Sequence, residues 1–177
     1  MEKDVRKALD DIDSVNPFAT YLSDSTLSRV SGWIDTGSYV LNAIISGSIH
    51  GGIPKGRVTM LAGESMTGKS LFVMKILASA QKEGLIPVIF DTENAIDPEG
   101  AERLGLDVEN VKYVPCISIE QTRNALYKFL TSVKEKGLEG KFIVAIDSLG
   151  NLQSELSLAR MGKDSTSTDM GTNARAM

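Results

Sequence analysis

Between residues 57 and 147 short runs of apolar residues alternate with stretches where apolar residues recur at three- and four-residue spacing. Unbroken runs predict buried strands, and the spaced ones amphipathic helices. The predicted strands are Arg57-Val58-Thr59-Met60-Leu61-Ala62, then Pro87 to Asp91 within the apolar run that Glu93 ends, then Val111 to Val114, and Phe142-Ile143-Val144-Ala145-Ile146, which ends at Asp147. Between them, one helix is predicted from Lys69 to Glu83 with Gly84 just past its end, and another from Asp97-Pro98 to Leu104. A third helix follows Ser118, which is spaced from Gln121 as a capping box, carries Leu126, Phe129, Leu130 and Val133 on one face, and stops at Gly137. Apolar strands alternating with helices predict an α/β domain: a mostly parallel sheet with helices on both faces.

Upstream the pattern is thinner. Tyr39 to Ile45 reads as a helix stopped at Gly47, and Gly51-Gly52-Ile53-Pro54-Lys55-Gly56 as a turn that delivers the chain into the strand at 57. Residues 1–30 carry only short apolar patches, Val5, Ala8, Leu9 and Ile12 at helical spacing and then Phe18, Tyr21 and Leu22, with Asn16-Pro17 between them. That is too little to fold alone, so these residues read as an arm that packs on its own domain or, preferably, docks on a neighbouring subunit, with the core at 31–177.

Composition narrows the picture in three ways. The 177 residues, 42% apolar, suit one α/β domain. A formal net charge of −4 leaves no overall basic footprint, so contact with nucleic acid must come from a local loop or from a small patch repeated in an assembly. The single cysteine, Cys116, cannot form an internal disulfide, and no apolar run approaches the ~18 residues of a membrane span. A reduced, buried thiol and a cytoplasmic, membrane-free protein are the expectation.

Candidate chemistry begins at Gly63-Glu64-Ser65-Met66-Thr67-Gly68-Lys69-Ser70, which reads GxxxxGKS between a predicted strand and a predicted helix. In a phosphate-binding P-loop the glycines permit a tight turn whose backbone N–H groups converge on phosphate oxygens, aided by the positive end of the helix. Lys69 is the candidate for the outer phosphates and Ser70 for Mg²⁺. A nucleoside triphosphate is therefore the expected ligand. In open parallel sheets ligands gather at the carboxyl ends of the strands, where Asp91-Thr92-Glu93 and Asp147-Ser148 also fall. Asp147 closes a buried strand and reads as a Walker B aspartate holding Mg²⁺ opposite Ser70. Glu93 is the candidate to orient and deprotonate an attacking water, provided its strand lies beside the P-loop strand. Asp91 and Asp97 compete for that role, although Asp97-Pro98 looks more like a helix N-cap with proline at the first position.

The order of elements and the strings themselves resemble the RecA family of strand-exchange ATPases, and within it the phage recombinases of the UvsX kind. The segments that carry the resemblance are Ile34-Asp35-Thr36-Gly37-Ser38, Gly51 to Arg57, the P-loop, Phe90-Asp91-Thr92-Glu93-Asn94-Ala95-Ile96-Asp97-Pro98, and Val144-Ala145-Ile146-Asp147-Ser148-Leu149-Gly150-Asn151-Leu152. The resemblance implies a RecA-like P-loop core and a DNA-dependent ATPase of bacterial or phage-infected cytoplasm. It also implies a helical filament on single-stranded DNA that serves recombination and repair, with recombination mediator proteins as candidate partners. It makes Glu93 the catalytic glutamate, puts Lys69 and Ser70 on the phosphates and Mg²⁺, and sets Asp97 at the adenine amino group. Gly100 departs from the pattern, since relatives often carry a base-stacking tyrosine there.

Residues 158–171 match the first DNA-binding loop of that family, with Arg160 and Lys163 as its cations. Repeated along a filament, two cations per subunit make a track for a single strand's backbone. The family's later sheet strands and second DNA-binding loop have no counterpart before Met177, so the chain reads as an incomplete, N-terminal portion of such a protein. The competing readings are a hexameric RecA-like motor such as a helicase or a KaiC-like ATPase, a small-molecule P-loop kinase, and a nucleotide-binding assembly module without turnover.

Overall fold

Three parallel strands organise the larger part of the chain, the one at residues 86–91 in the centre with those at 112–115 and 142–147 on either side. The computed structural model describes residues 3–16, 18–25 and 29–155. The chain divides into two units, Met1–Gly32 and Trp33–Met177. In the first, helix α1 (Lys3–Val15) leaves Val5, Leu9 and Ile12 exposed, and Phe18, Tyr21 and Leu22 beyond it are exposed too.

The second unit opens with β1 (Trp33–Ile34), paired antiparallel with β2 (Ile53–Pro54), and between them lies α2 (Tyr39–Ser46). Ser38 caps α2 by accepting from the Leu41 N–H, and Gly47 ends it in the left-handed region at φ 75°. Gly52 sits where no side chain fits: a Cβ there would stand 1.9 Å from the Ile34 carbonyl oxygen. Asn42, buried on α2, holds this corner together. Its Oδ1 accepts from the Thr36 N–H at 3.0 Å and the Thr36 hydroxyl at 2.7 Å, and its Nδ2 donates to Asp35 Oδ1 at 2.7 Å and the Ile49 carbonyl at 3.0 Å. The Asn42 amide first, and the Gly37 N–H second, hold the Asp35 carboxyl below its ordinary pKa. Asn42→Ala strips a partner from the N–H and hydroxyl of Thr36, which is 0% exposed, so it is expected to cost about 1–3 kcal/mol. A denaturant midpoint that yields less than about 0.5 kcal/mol, the usual span of a surface substitution, would contradict that account of the corner.

Helix α3 (Lys69–Lys82) begins directly after the P-loop, and Gly84 at φ 82° turns the chain out of it into β3 (Ile86–Asp91). Next come α4 (Pro98–Arg103), β4 (Lys112–Pro115), α5 (Ile119–Glu135) and β5 (Phe142–Asp147). The period-two alternation of the strands divides the core between two faces. Ile89 packs with Met74, Leu77 and Ala78 of α3 and Ala101 of α4, joined by Ile143 and Ala145 of β5. On the opposite face Val88, Phe90, Val144 and Ile146 pack with Ile119, Leu126 and Phe129 of α5 and with Cys116, which is 1% exposed. Helices therefore cover both faces of a parallel sheet.

Some expectations change. Residues 57–62 do not form a strand: Val58 is 99% exposed and Met60 78%, and only Leu61 is anchored, against the cluster of Ile34, Ile76 and Ala80. An apolar run becomes a strand only where a neighbour takes up its backbone N–H and C=O groups, and among the described residues no strand pairs with 57–62. On α5 the covered stripe lies nearer the N-terminus than expected, with Ile119 and Thr122 buried and Leu130 half exposed. Gln121 completes its cap one residue early, since its Oε1 accepts from the Ile117 N–H at 3.0 Å while its own N–H donates to Ser118 Oγ. Among the described residues no helix is long and apolar enough to cross a membrane.

Candidate functional site

The loop Gly63–Ser70 turns back on itself before α3. Gly68 at φ 87° and the fully exposed Met66 at φ 65° take left-handed backbone, the price of so tight a reversal. Lys69 Nζ donates to the carbonyls of Gly63 at 3.0 Å and Glu64 at 2.6 Å, and the Thr67 hydroxyl donates to the Glu64 carbonyl at 2.9 Å. The ammonium thus spans the loop it belongs to. Ser70 lies in the first turn of α3, where helix N–H groups have no carbonyl of their own to bond.

The carboxyl ends of β3 and β5 meet in register, Asp91 opposite Asp147. The Thr92 N–H donates to the Asp147 carbonyl at 2.9 Å, which carries the ladder one residue further. The Thr92 hydroxyl then donates to the Ser148 carbonyl at 2.7 Å while accepting from the Ser148 N–H at 3.0 Å. The Asp147–Ser148 peptide bond is cis. From that position the Ser148 hydroxyl donates to Glu93 Oε1 at 2.9 Å.

Asp91 has a different part. Its carboxylate, 1% exposed, accepts from the N–H groups of Glu93 and Asn94 at 2.9 Å, from that of Ile96 at 3.4 Å, and from the Tyr113 hydroxyl at 3.0 Å. It is consumed in holding the turn that follows β3. Removal from water, and then the neighbouring Asp91 carboxylate, raise the Tyr113 pKa above the ordinary tyrosine value. Asp97 caps α4, accepting from the N–H groups of Glu99 at 3.2 Å and Gly100 at 2.9 Å, with the Arg103 guanidinium 3.4 Å away. A Cβ on residue 100 would stand 2.9 Å from Asp97 Oδ2, so the glycine there goes with this cap.

These pieces surround one cleft of about 200 Å³, with Ser70, Glu93, Asp97 and Asp147 on its polar side and Met74 and Leu104 on its apolar side. Of the residues singled out in the sequence, the structure brings Ser70, Glu93, Asp97 and Asp147 to a common cavity and turns Lys69 toward its own loop. Arg160 and Lys163 lie outside the described residues. The expected neighbour of the Glu93 strand also differs: β3 is flanked by β4 and β5, not by residues 57–62. Sequence reasoning passed over Thr92, Tyr113 and Ser148. Ser148 had a signal in its place directly after Asp147, whereas only the parallel register of β4 on β3 brings Tyr113 to Asp91.

A hydroxyl and a carboxylate on one cleft are hard oxygen donors of the kind Mg²⁺ takes. Among the described residues no three of His, Cys, Asp and Glu cluster as a metal cage, and a Mg²⁺ held largely by phosphate and water needs none. The donor set at Ser70 and Asp147 fits such an ion.

Several known proteins are similar to this chain in sequence. The model of the RecA N-terminal domain family matches residues 3–177. Protein RecA of Aquifex aeolicus is 35% identical over 130 residues, which cover 73% of this chain and 37% of that protein. Protein RecA of Chlorobium chlorochromatii is 35% identical over 144 residues, 81% of this chain and 37% of the relative. Protein RecA of Chlorobaculum parvum is 34% identical over 154 residues, 87% and 41% respectively. The matches therefore span about two-fifths of these relatives' length.

Proposed function

The chain belongs to the RecA family, and from that premise we propose that it is the nucleotide-binding part of an ATP-dependent DNA recombinase. Such a protein assembles as a filament on single-stranded DNA and promotes homologous pairing and strand exchange in recombination and repair. The observation that carries this reading is the cleft at the strand ends, where Ser70 of the P-loop helix, Glu93 and Asp147 come together.

ATP supplies the phosphoryl group and Mg²⁺ shields its charge. The backbone N–H groups of residues 63–70 and the α3 N-terminus cradle the phosphates, with Lys69 exchanging its Gly63 and Glu64 carbonyls for phosphate oxygens. The Ser70 hydroxyl and the Asp147 carboxylate would hold the Mg²⁺ ion. Glu93 orients the attacking water and accepts its proton, with the Ser148 hydroxyl fixing one of its carboxylate oxygens. Asp97 contacts the adenine amino group from its place on the same cleft.

The exposed Val5, Leu9 and Ile12 stripe of α1 supports docking of the 1–30 arm on the next subunit, a heterologous contact that propagates as a filament. Arg160 and Lys163 contribute cations to the DNA track, which makes binding salt-sensitive. Mediator proteins that load such filaments are further partners, and the cytoplasm is the compartment.

Electron microscopy of the full-length protein with single-stranded DNA and ATP tests the reading. Open helical filaments are the expected result. Closed six-membered rings would assign the chain to the hexameric motors instead.

A further inference from the structure

The turn that carries Glu93 is held from an unexpected direction. Residues 92–96 are anchored at their two ends, Thr92 by its bonds to Asp147 and Ser148 and Ile96 by packing on the core, while Glu93, Asn94 and Ala95 are exposed and Asn94 takes left-handed backbone at φ 51°. Between those ends the turn is held by the buried Asp91 carboxylate, which accepts the N–H groups of Glu93, Asn94 and Ile96. A carboxylate offers about four lone-pair sites. Three face this turn, and the fourth partner comes from another strand: the Tyr113 hydroxyl of β4, at 3.0 Å from Oδ2. Parallel pairing sets Tyr113 opposite Ile89, and its side chain spans the remaining distance to the end of β3.

Resting on the reading of Glu93 as the water-orienting acid, we propose that Tyr113 is a positioning residue for ATP hydrolysis, acting through Asp91 on the turn that presents Glu93. The Tyr113 hydroxyl has one proton to give, and the charged acceptor at 3.0 Å takes it in preference to Asn94 Oδ1 at 3.4 Å. With its pKa raised, the phenol stays protonated and remains a donor throughout the neutral range. Its bond lands on Oδ2, the oxygen that also accepts the long, 3.4 Å bond from Ile96, while Oδ1 takes the two short ones from Glu93 and Asn94. Tyr113 thereby sets the rotation of the carboxylate and, with it, the direction in which the Glu93 backbone is pulled. Ser148 steadies the other end of the same residue, at the Glu93 carboxylate. Glu93 is thus held through its backbone by Asp91 of β3, which Tyr113 of β4 steadies, and through its side chain by Ser148 just past β5. A displacement of a reacting group by as little as 1 Å costs about a hundredfold in rate, so a small relaxation of this turn is visible in turnover.

The experiment compares Tyr113→Phe, Glu93→Gln and the parent in the full-length protein, with single-stranded DNA present. ATP turnover, nucleotide affinity and thermal midpoint are measured on each. Tyr113→Phe keeps the ring and removes only the hydroxyl. The expected result is a fall in kcat of about ten- to a hundredfold, with KM and nucleotide affinity unchanged, with the thermal midpoint lowered by no more than the loss of one hydrogen bond to a buried carboxylate entails, and with Glu93→Gln lower still. An unchanged kcat in Tyr113→Phe while Glu93→Gln is inactive would overturn the positioning role and leave the assignment of Glu93 intact. A fall in kcat matched by weakened nucleotide binding, or by loss of the folded state at the assay temperature, would make Tyr113 merely structural and also overturn it. Full turnover in Glu93→Gln would overturn the assignment of Glu93 and the positioning role with it.

Discussion

Glu93→Gln in the full-length protein is expected to lower ATP turnover by about a hundredfold or more, the usual contribution of a positioned general base, while nucleotide binding stays near that of the parent. The substitution preserves size and one oxygen acceptor, so the Ser148 hydroxyl keeps a partner and the turn built on Asp91 is undisturbed. What is lost is the charge that takes a proton from water. Turnover measured at saturating ATP isolates that step from binding. Unaltered turnover would remove Glu93 from the chemistry and leave the cleft as a binding site.

Lys69→Ala acts earlier. In the structure the ammonium bridges the Gly63 and Glu64 carbonyls, which places it within the loop and ready to trade two neutral acceptors for charged phosphate oxygens. Removing it deletes a charge-assisted contact and the strut across the loop together. A single such contact is worth about 1.5–3 kcal/mol, so affinity for ATP is expected to fall by at least about tenfold. A nucleotide titration reads this directly, and an unchanged affinity would defeat the assignment of residues 63–70 to phosphate.

Much of this architecture can be read from the residues alone because the relevant signals are local. Ser118 and Asp97 cap helices as their neighbours suggest, and Gly47, Gly84 and Gly137 take the left-handed conformations that follow helix ends. The apolar runs at 86–91 and 142–147 become adjacent parallel strands because both faces of each are covered. Residues 57–62 have the same apolar character yet form no strand, since strand formation depends on a partner edge that composition does not reveal. The cleft divides in the same way. The glycines, Lys69, Ser70 and the strand-end acids stand out by type and spacing. The hydrogen bonds from Tyr113 to Asp91 and from Ser148 to Glu93 depend on register across 22 and 55 residues of chain, and no local pattern encodes them. Asp91 shows the cost: by sequence it rivals Glu93, and only its burial and its four donors reveal a carboxylate committed to the backbone.

The central claim is that a phosphate-binding loop and two strand-end acids form a nucleotide site whose work is done on DNA. ATP hydrolysis by the full-length protein, measured with and without single-stranded DNA at low and at raised salt, tests it most directly. The account predicts hydrolysis that single-stranded DNA stimulates and that rising salt suppresses as the DNA is released. Hydrolysis at the same rate with and without DNA, or phosphoryl transfer to a small metabolite in its place, would contradict it.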